Sequence, residues 1–199
     1  MKRAVVHLRA VDPVLRTIID KVGPCRIQYR EPEFETLARA VVYQQLHGAA
    51  AAAIFGRVLA MAGNRDGRLT ARSLLRIPKK DLRAAGLSAP KITYLRDLAE
   101  KTAAKIVRFD RFPNMEDAEI IASLTQVKGI GVWTAHMFLL FALRRPDVLP
   151  VGDYGVRTAV RDAYKLKDLP TPAELEAIAR PWRPYCSFAS WYLWRSREL

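Results

Sequence analysis

The apolar residues of this chain recur with the period of a helix and show no sustained alternation of the kind that a strand requires. The first apolar stripe occupies positions i, i+3, i+4, i+7 and i+8, and consists of Phe34, Leu37, Ala38, Val41 and Val42. Further helices are predicted near residues 12–21, 49–62, 70–84, 88–106, 115–124, 132–144, 154–164, 172–180 and 184–196. The pattern therefore predicts an all-α fold.

Capping residues and glycines punctuate this pattern. Ser88 is predicted to cap a helix whose inner face carries Ile92, Leu95, Ala99, Ala103 and Ile106. Gly48 opens the helix over 49–62, and Gly63-Asn64 closes it. Residues 1–8 are the one segment that suggests a strand, and the rest of the chain offers it no obvious partner.

Two adjacent amides interrupt the apolar stretch from Val41 to Leu46. Gln45 continues the first stripe to position i+11, and Gln44 precedes it. Buried amides need hydrogen-bond partners. The pair therefore either bridges to the next loop or faces a cleft that a ligand fills.

Charge and cysteine content narrow the function classes. The chain has 33 Lys and Arg against 20 Asp and Glu, a formal net charge of +13, and 50% of its residues are hydrophobic. A folded surface of this charge favours polyanions such as nucleic acid or anionic lipid. Two cysteines are too few for a disulfide scaffold, a zinc ribbon or a four-cysteine iron–sulfur cluster.

The sequence also suggests an intracellular location. The basic start of the chain is followed by Arg9 and Asp12, which interrupt any signal-peptide apolar region. The most apolar run, residues 137–143, is far shorter than the roughly 20 residues of a membrane helix. We therefore expect a soluble protein of the cytoplasm or nucleoid.

The stretch from Leu124 to Ala135 carries the most informative local pattern. A predicted helix ends near Leu124, the turn Gly129-Ile130-Gly131 follows, and a new helix starts near Val132. Glycines and the amides of a helix N-terminus favour a phosphate group, and Lys128 adds a positive charge. The alternative is a helix-to-helix turn that needs glycine only for a positive φ.

A loop rich in proline and glycine, residues 145–156, delivers Asp153 to the start of another helix. Asp153 either caps that helix or presents a carboxylate for chemistry. Asp147 lies earlier in the loop and is interpreted as a surface residue.

Together these residues resemble the helix-hairpin-helix DNA glycosylase superfamily and, within it, the AlkA-type branch of 3-methyladenine DNA glycosylase II. The resemblance spans roughly residues 12–195 and rests on the segments at 12–15, 22–25, 42–46, 86–88, 91–95, 127–135 and 150–153. It implies a two-lobed all-α fold with the active-site cleft between the lobes and no large N-terminal β domain. A single domain over 1–199 would contain the hairpin at about 120–144 and the catalytic loop at about 145–156.

The resemblance implies hydrolysis of the N-glycosidic bond of alkylated purines, of the 3-methyladenine and 7-methylguanine type, in base excision repair. Asp153 would be the catalytic carboxylate, stabilising positive charge on the deoxyribose. In relatives that also cut the strand, a Schiff-base lysine occupies the position of Trp133, so this chain should be monofunctional and leave an abasic site.

The same resemblance supplies the remaining site residues. A flipped base would lie in a pocket formed by Trp133, Gln44, Gln45, Met137, Tyr154 and Trp194. His136 is interpreted as a satisfied core histidine, and most of the aromatic residues near the C-terminus as core. Double-stranded damaged DNA would contact the hairpin and two minor-groove loops through Lys128, Gly129, Gly131, Val132, Thr134, His47, Leu87, Ser88, Ala89 and Lys91.

No cofactor is expected beyond a structural, monovalent cation held by the main-chain carbonyls of Thr125, Val127 and Ile130. The protein is expected to act as a monomer. Two rival functions remain open at this point. One is a non-catalytic binder of DNA structure with the same fold, and the other is a glycosylase for deaminated or mismatched bases such as uracil or hypoxanthine.

Overall fold

The computed structural model describes residues 1–62 and 67–199, and within these ranges the chain forms helices and turns without any strand. The predicted stop at Gly63-Asn64 lies outside the described residues. The helices are α1 (Lys2–Val11), α2 (Pro13–Val22), α3 (Phe34–Tyr43), α4 (Gly48–Ala62), α5 (Ala71–Arg76), α6 (Lys79–Ala84), α7 (Ala89–Ala103), α8 (Asp117–Leu124), α9 (Val132–Phe141), α10 (Tyr154–Ala163), α11 (Pro172–Ala179) and α12 (Cys186–Ser196). Short 3-10 segments occur at Phe112–Asn114 and Arg180–Trp182. The all-α prediction is confirmed.

The chain divides into two compact units. The terminal unit comprises residues 1–29 and 139–199, and the central unit comprises residues 30–138. None of the helices in the described parts of the chain is long and apolar enough to cross a membrane.

The core of the terminal unit is built around α2, α10 and α12, with Trp182 and Tyr192 fully buried. Asp12 connects several of its parts. Its Oδ1 caps α2 by accepting from the N–H groups of Val14 (2.9 Å) and Leu15 (3.0 Å). Its Oδ2 accepts from the indole of Trp182 (2.8 Å) and from the hydroxyl of Tyr164. The expected burial of most C-terminal aromatic residues is confirmed.

In the central unit, α7 packs against α3 and α5. Its apolar stripe of Ile92, Leu95, Leu98 and Ala99 is buried. Phe109, Phe112 and Phe138 add an edge-to-face aromatic cluster with ring centroids 5.4–5.9 Å apart. The buried stripe of α7 and this cluster together form part of the apolar interior of the central unit.

Three local predictions are wrong. Residues 1–8 form most of helix α1, which buries Ala4 and Leu8 on one face. The predicted helix 70–84 is broken into α5 and α6, because Pro78 has no N–H and holds Ile77 in an extended conformation.

The third error concerns the end of α7. This helix ends at Ala103, and Lys105 has a left-handed φ of 60° that turns the chain away. Ala103 and Ile106 are therefore exposed, and Val107 is buried instead.

Candidate functional site

The predicted hairpin is formed by α8, a tight turn and α9. The turn is held by main-chain hydrogen bonds from Val127 N–H to the Leu124 carbonyl (3.1 Å) and from Ile130 N–H to the Val127 carbonyl (3.0 Å). Gly129 has a φ of +77°, and a Cβ placed on it would lie 2.2 Å from the ring of Tyr94. Gly129 is therefore required by the local structure itself.

Gly131 differs from Gly129. Its φ is not positive, and a Cβ added to it would meet nothing within 4 Å. No packing contact in the described structure requires a glycine there, and the space around its Cα is open next to the first residues of α9. Val132, the first residue of α9, is 52% exposed, while Thr134 is only 6% exposed. Thr134, predicted to contact DNA, is therefore buried.

One amide of the turn is not available to a ligand. The N–H of Lys128 donates to Oδ2 of Asp97 on α7 (2.8 Å), and the side chain of Lys128 is exposed. The neighbouring carbonyl of Gly129 accepts from Nε2 of Gln44 (3.0 Å). The predicted contribution of Lys128 to phosphate binding is therefore limited to its side chain, because its N–H is already taken up.

A cavity of about 750 Å³ lies within the central unit. It brings together four of the six residues predicted for the base pocket, and its lining includes Gln44, Gln45, Trp133 and Met137. Trp133 is 49% exposed, which excludes core packing as its explanation. Tyr43, which sequence reasoning missed, also lines the cavity, and its hydroxyl is buried without a hydrogen-bond partner among the described residues.

The glutamine pair does not continue the helical stripe. Helix α3 ends at Tyr43, Gln44 leaves the helical conformation with ψ of 129°, and Gln45 has a left-handed φ of 54° and is exposed. Lys91 caps this helix end, with Nζ donating to the carbonyls of Val42 and Gln44 at 2.7 Å each. Burial lowers the pKa of Lys91. Lys91, predicted to bind DNA, therefore holds the end of α3 instead.

Asp153 is the N-cap of α10 in the terminal unit, and it is only 7% exposed. Its Oδ1 accepts from the N–H of Val156 (2.7 Å) and from the indole N–H of Trp194 (2.9 Å). Trp194 stacks on Phe141 with centroids 5.8 Å apart. Tyr154, the next residue, is 64% exposed. The carboxylate is thus both a helix cap and a group held by a second helix.

The predicted DNA loops are only partly suited to that role. Leu87 is 1% exposed, so its side chain is core and the prediction that it contacts DNA is wrong. Guanidinium groups hold this loop, with Arg57 donating to the Ala85 carbonyl (2.8 Å) and Arg83 to the Leu87 carbonyl (3.0 Å). The prediction that Ser88 caps α7 is confirmed by its bond from Lys91 N–H (3.5 Å). Ser88, Ala89 and His47 are exposed.

Two other interpretations also change. Asp147 accepts from the guanidinium of Arg183 (2.7 Å) and from the N–H of Cys186 (3.2 Å), so it anchors the start of α12 rather than standing alone at the surface. His136 is only half-buried. Burial lowers its pKa, and the nearby charge of Asp117 opposes that shift.

The family model described as the HhH-GPD superfamily of base excision DNA repair proteins matches residues 38–184. The chain belongs to this superfamily. A relative named DNA-3-methyladenine glycosylase 1, from Schizosaccharomyces pombe, is 34% identical over 100% of this chain and 89% of its own length.

Two solved structures are similar to this HhH-GPD chain over nearly all of its length. A 3-methyladenine DNA glycosylase from Schizosaccharomyces pombe, in complex with abasic DNA, has a TM-score of 0.85 at 34% identity and covers 99% of this chain and 97% of its own. A DNA-3-methyladenine glycosidase from Bacillus halodurans has a TM-score of 0.85 at 34% identity, with coverages of 96% and 87%. The HhH-GPD match includes Trp133 and Asp153 but ends before Trp194.

Proposed function

We propose that this HhH-GPD protein is a monofunctional DNA glycosylase. It removes purines of the 3-methyladenine and 7-methylguanine type from double-stranded DNA and leaves an abasic site for base excision repair. Similarity along the whole chain to proteins named 3-methyladenine DNA glycosylase supports this reaction class. The observation that carries the proposal is the buried Asp153 carboxylate, whose Oδ1 is held by two N–H donors.

The chemistry suits a single fixed carboxylate. A purine alkylated at N3 or N7 is cationic, so it leaves without a strong general acid. Breaking the glycosidic bond builds positive charge on the deoxyribose, which a preorganised carboxylate stabilises without reorienting. Asp153 would also orient the water that attacks the sugar.

Trp133 would contribute an aromatic face for the extruded base. Stacking against a cationic ring is favourable, and Trp is the side chain best suited to it. Gln44, Gln45 and Met137 line the same cavity as Trp133. Tyr154 and Trp194 remain predictions from the family resemblance. Because position 133 holds no amine, Schiff-base strand cleavage by that route is not expected.

DNA binding would depend on the hairpin. The exposed side chain of Lys128, the opening at Gly131 and the first amides of α9 suit a phosphate group. His47, Ser88 and Ala89 would contact DNA from the two loops. With a net charge of +13, affinity should fall steeply as salt rises, because phosphate contacts release counterions.

No cofactor enters this proposal. Among the described residues, no cluster of three or more His, Cys, Asp and Glu could hold a metal ion. The carbonyls of Thr125, Val127 and Ile130 are oxygen donors of the kind that a hard cation takes, although that of Val127 also accepts from Ile130 N–H. A cation there would support the turn and supply no chemistry. We expect a monomer that acts inside the cell, where its DNA substrate lies.

The decisive experiment measures base release from methylated duplex DNA. Wild-type protein should release 3-methyladenine and 7-methylguanine, and Asp153→Asn should lose at least about 100-fold in single-turnover rate, as removal of an electrostatic transition-state contact does. Asp162→Asn is the matched control, because Asp162 is an exposed residue of the same helix that pairs with Arg161 (2.7 Å).

Hot alkali should be needed to break the strand at the product. Breakage before alkali would contradict a monofunctional enzyme. Parallel duplexes containing uracil or hypoxanthine test the rival specificity. Tight binding with no release from any duplex would favour the non-catalytic binder, and release that survives Asp153→Asn would contradict the assigned role of Asp153.

A further inference from the structure

One face of α7 contacts both segments of the central unit that the proposed function assigns to base and phosphate binding. Lys91 donates to the carbonyls of Val42 and Gln44, at the end of α3. About one turn later, the ring of Tyr94 lies so close to Gly129 that no Cβ would fit between them. Asp97, one further turn along, accepts from the N–H of Lys128. The face 91–94–97 thus connects α3 to the hairpin.

Asp97 forms a hydrogen bond with the main chain of the hairpin. Its Oδ2 accepts from the N–H of Lys128 (2.8 Å) and from Nζ of Lys101 (2.6 Å), and its side chain is only 14% exposed. Burial acts to raise the pKa of Asp97. The hydrogen bonds and charges of Lys101 and Lys128 outweigh burial, and the pKa lies below its usual value.

A carboxylate at this place is unexpected on electrostatic grounds alone. A negative charge next to a phosphate-binding turn repels the phosphate, even though Lys101 offsets part of that repulsion. The effect of Asp97 on the geometry of the turn, in contrast, favours phosphate binding. By accepting from the Lys128 amide, it fixes one peptide plane of a turn whose other main-chain hydrogen bonds are donated by Val127 and Ile130, on either side of Lys128.

We propose that Asp97 is a positioning residue for DNA binding. Its carboxylate holds the turn at residues 128–131 in the conformation that presents the first amides of α9 to a DNA phosphate, and it touches neither the DNA nor the base. This inference rests on the proposed function only for the identity of the ligand. A surface pair of Asp and Lys four residues apart is common on helices, which is why the sequence gives no hint of this role.

The test relies on two explanations of Asp97 that predict opposite changes in DNA affinity. Binding of an undamaged, fluorescein-labelled duplex is measured by anisotropy at several NaCl concentrations. Asp97→Ala should weaken binding by about 10-fold, the value of one hydrogen bond to a charged group, even though it removes a negative charge. Asp97→Asn, which keeps an oxygen acceptor, should stay within about 3-fold of wild type. If Asp97 is merely a nearby charge, Asp97→Ala binds DNA more tightly, and that result overturns the proposal.

Asp110→Ala is the matched control. Asp110 lies in the same unit, is exposed and pairs with Arg108 (2.9 Å), so its loss changes the net charge equally. The DNA affinity of Asp110→Ala should be unchanged or slightly higher. Weakening by Asp110→Ala as large as that by Asp97→Ala would overturn the assignment.

Thermal unfolding of each variant accompanies the binding data. If Asp97→Ala does not unfold cooperatively, Asp97→Glu takes its place, because it keeps the charge and displaces the carboxylate by one methylene. Weaker binding by Asp97→Glu supports positioning, and unchanged affinity overturns it. On methylated duplex, Asp97→Ala should raise KM and leave kcat unchanged. If no variant and no wild-type protein releases a base, the proposed function has failed, while the binding data still decide the role of Asp97.

Discussion

The indole N–H of Trp194 donates a 2.9 Å hydrogen bond to Oδ1 of Asp153, the same oxygen that accepts from the N–H of Val156. Trp194 is itself stacked on Phe141. The carboxylate is therefore oriented by the N-terminus of its own helix and by a second helix whose donor lies 41 residues away in the chain. A group held in this way can stabilise a developing positive charge without reorganising.

Trp194→Phe tests the importance of that orientation. The phenyl ring preserves stacking on Phe141 and removes the N–H donor, so we expect normal folding and a kcat lower by about 10- to 100-fold. Single-turnover excision at saturating protein measures this effect. Trp191→Phe, three positions earlier in α12, is the control, since Trp191 packs edge-on against Tyr192. An unchanged kcat in Trp194→Phe would mean that the Val156 amide alone orients Asp153.

The two glycines of the hairpin should respond differently to alanine. Gly129→Ala forces a side chain into a left-handed backbone and against Tyr94, and we expect a loss of at least about 2 kcal/mol in the free energy of unfolding. Gly131→Ala should change stability by no more than about 0.5 kcal/mol and weaken duplex binding, because the new methyl group blocks a close phosphate. Urea denaturation and anisotropy measure the two quantities. Equal losses of stability would contradict the distinction.

Asp12 should be important for the stability of the terminal unit. Asp12→Ala leaves the indole of Trp182, the hydroxyl of Tyr164 and the first amides of α2 without their acceptor. We expect a loss of about 3 kcal/mol, the sum of a missing helix cap and of buried donors left unsatisfied. Urea denaturation measures this loss, provided that the m-value is unchanged. Asp20→Ala, at the far end of the same helix and in an exposed pair with Arg9, should cost less than about 0.5 kcal/mol.

The protein should become less stable to unfolding as the pH rises above about 10. Burial raises the pKa of Tyr192 to about 12, with a further contribution from Cys25. Unfolded tyrosine titrates near about 10, so between about pH 10 and about pH 12 the folded state retains a proton that the unfolded state has lost. The stabilisation is therefore complete below about pH 10 and is lost as pH rises.

The temperature of unfolding, followed by circular dichroism across this range, checks the alkaline prediction. Tyr192→Phe should have a lower unfolding temperature at the start of this range, because it loses the hydrogen bond to the Gly23 carbonyl (3.1 Å). Its unfolding temperature should also fall less steeply as the pH rises. Burial and Asp12 also raise the pKa of Tyr164, so some decline should persist in that variant. An unfolding temperature that is level up to about pH 12 would contradict the prediction.

Local signals predicted much of this molecule correctly. Helical periodicity identified α3, and the short-range preference of Ser and Asp for helix N-termini identified Ser88 as a cap and gave a cap as one of two interpretations of Asp153. The same signals were insufficient where a proline or a left-handed residue redirects the chain, as at Pro78 and Gln45. Leu87 was misassigned because a loop position in the sequence does not reveal that its side chain is buried.

The sequence by itself determined the helical architecture, the glycine turn before α9 and the acidic start of α10, since each depends on residues a few positions apart. Only the tertiary structure decided which side chains hold these features in place. Asp97 reaches Lys128 across 31 residues, and Lys91 reaches Gln44 across 47. Such contacts arise from the packing of helices against one another, which residue spacing along one helix does not specify.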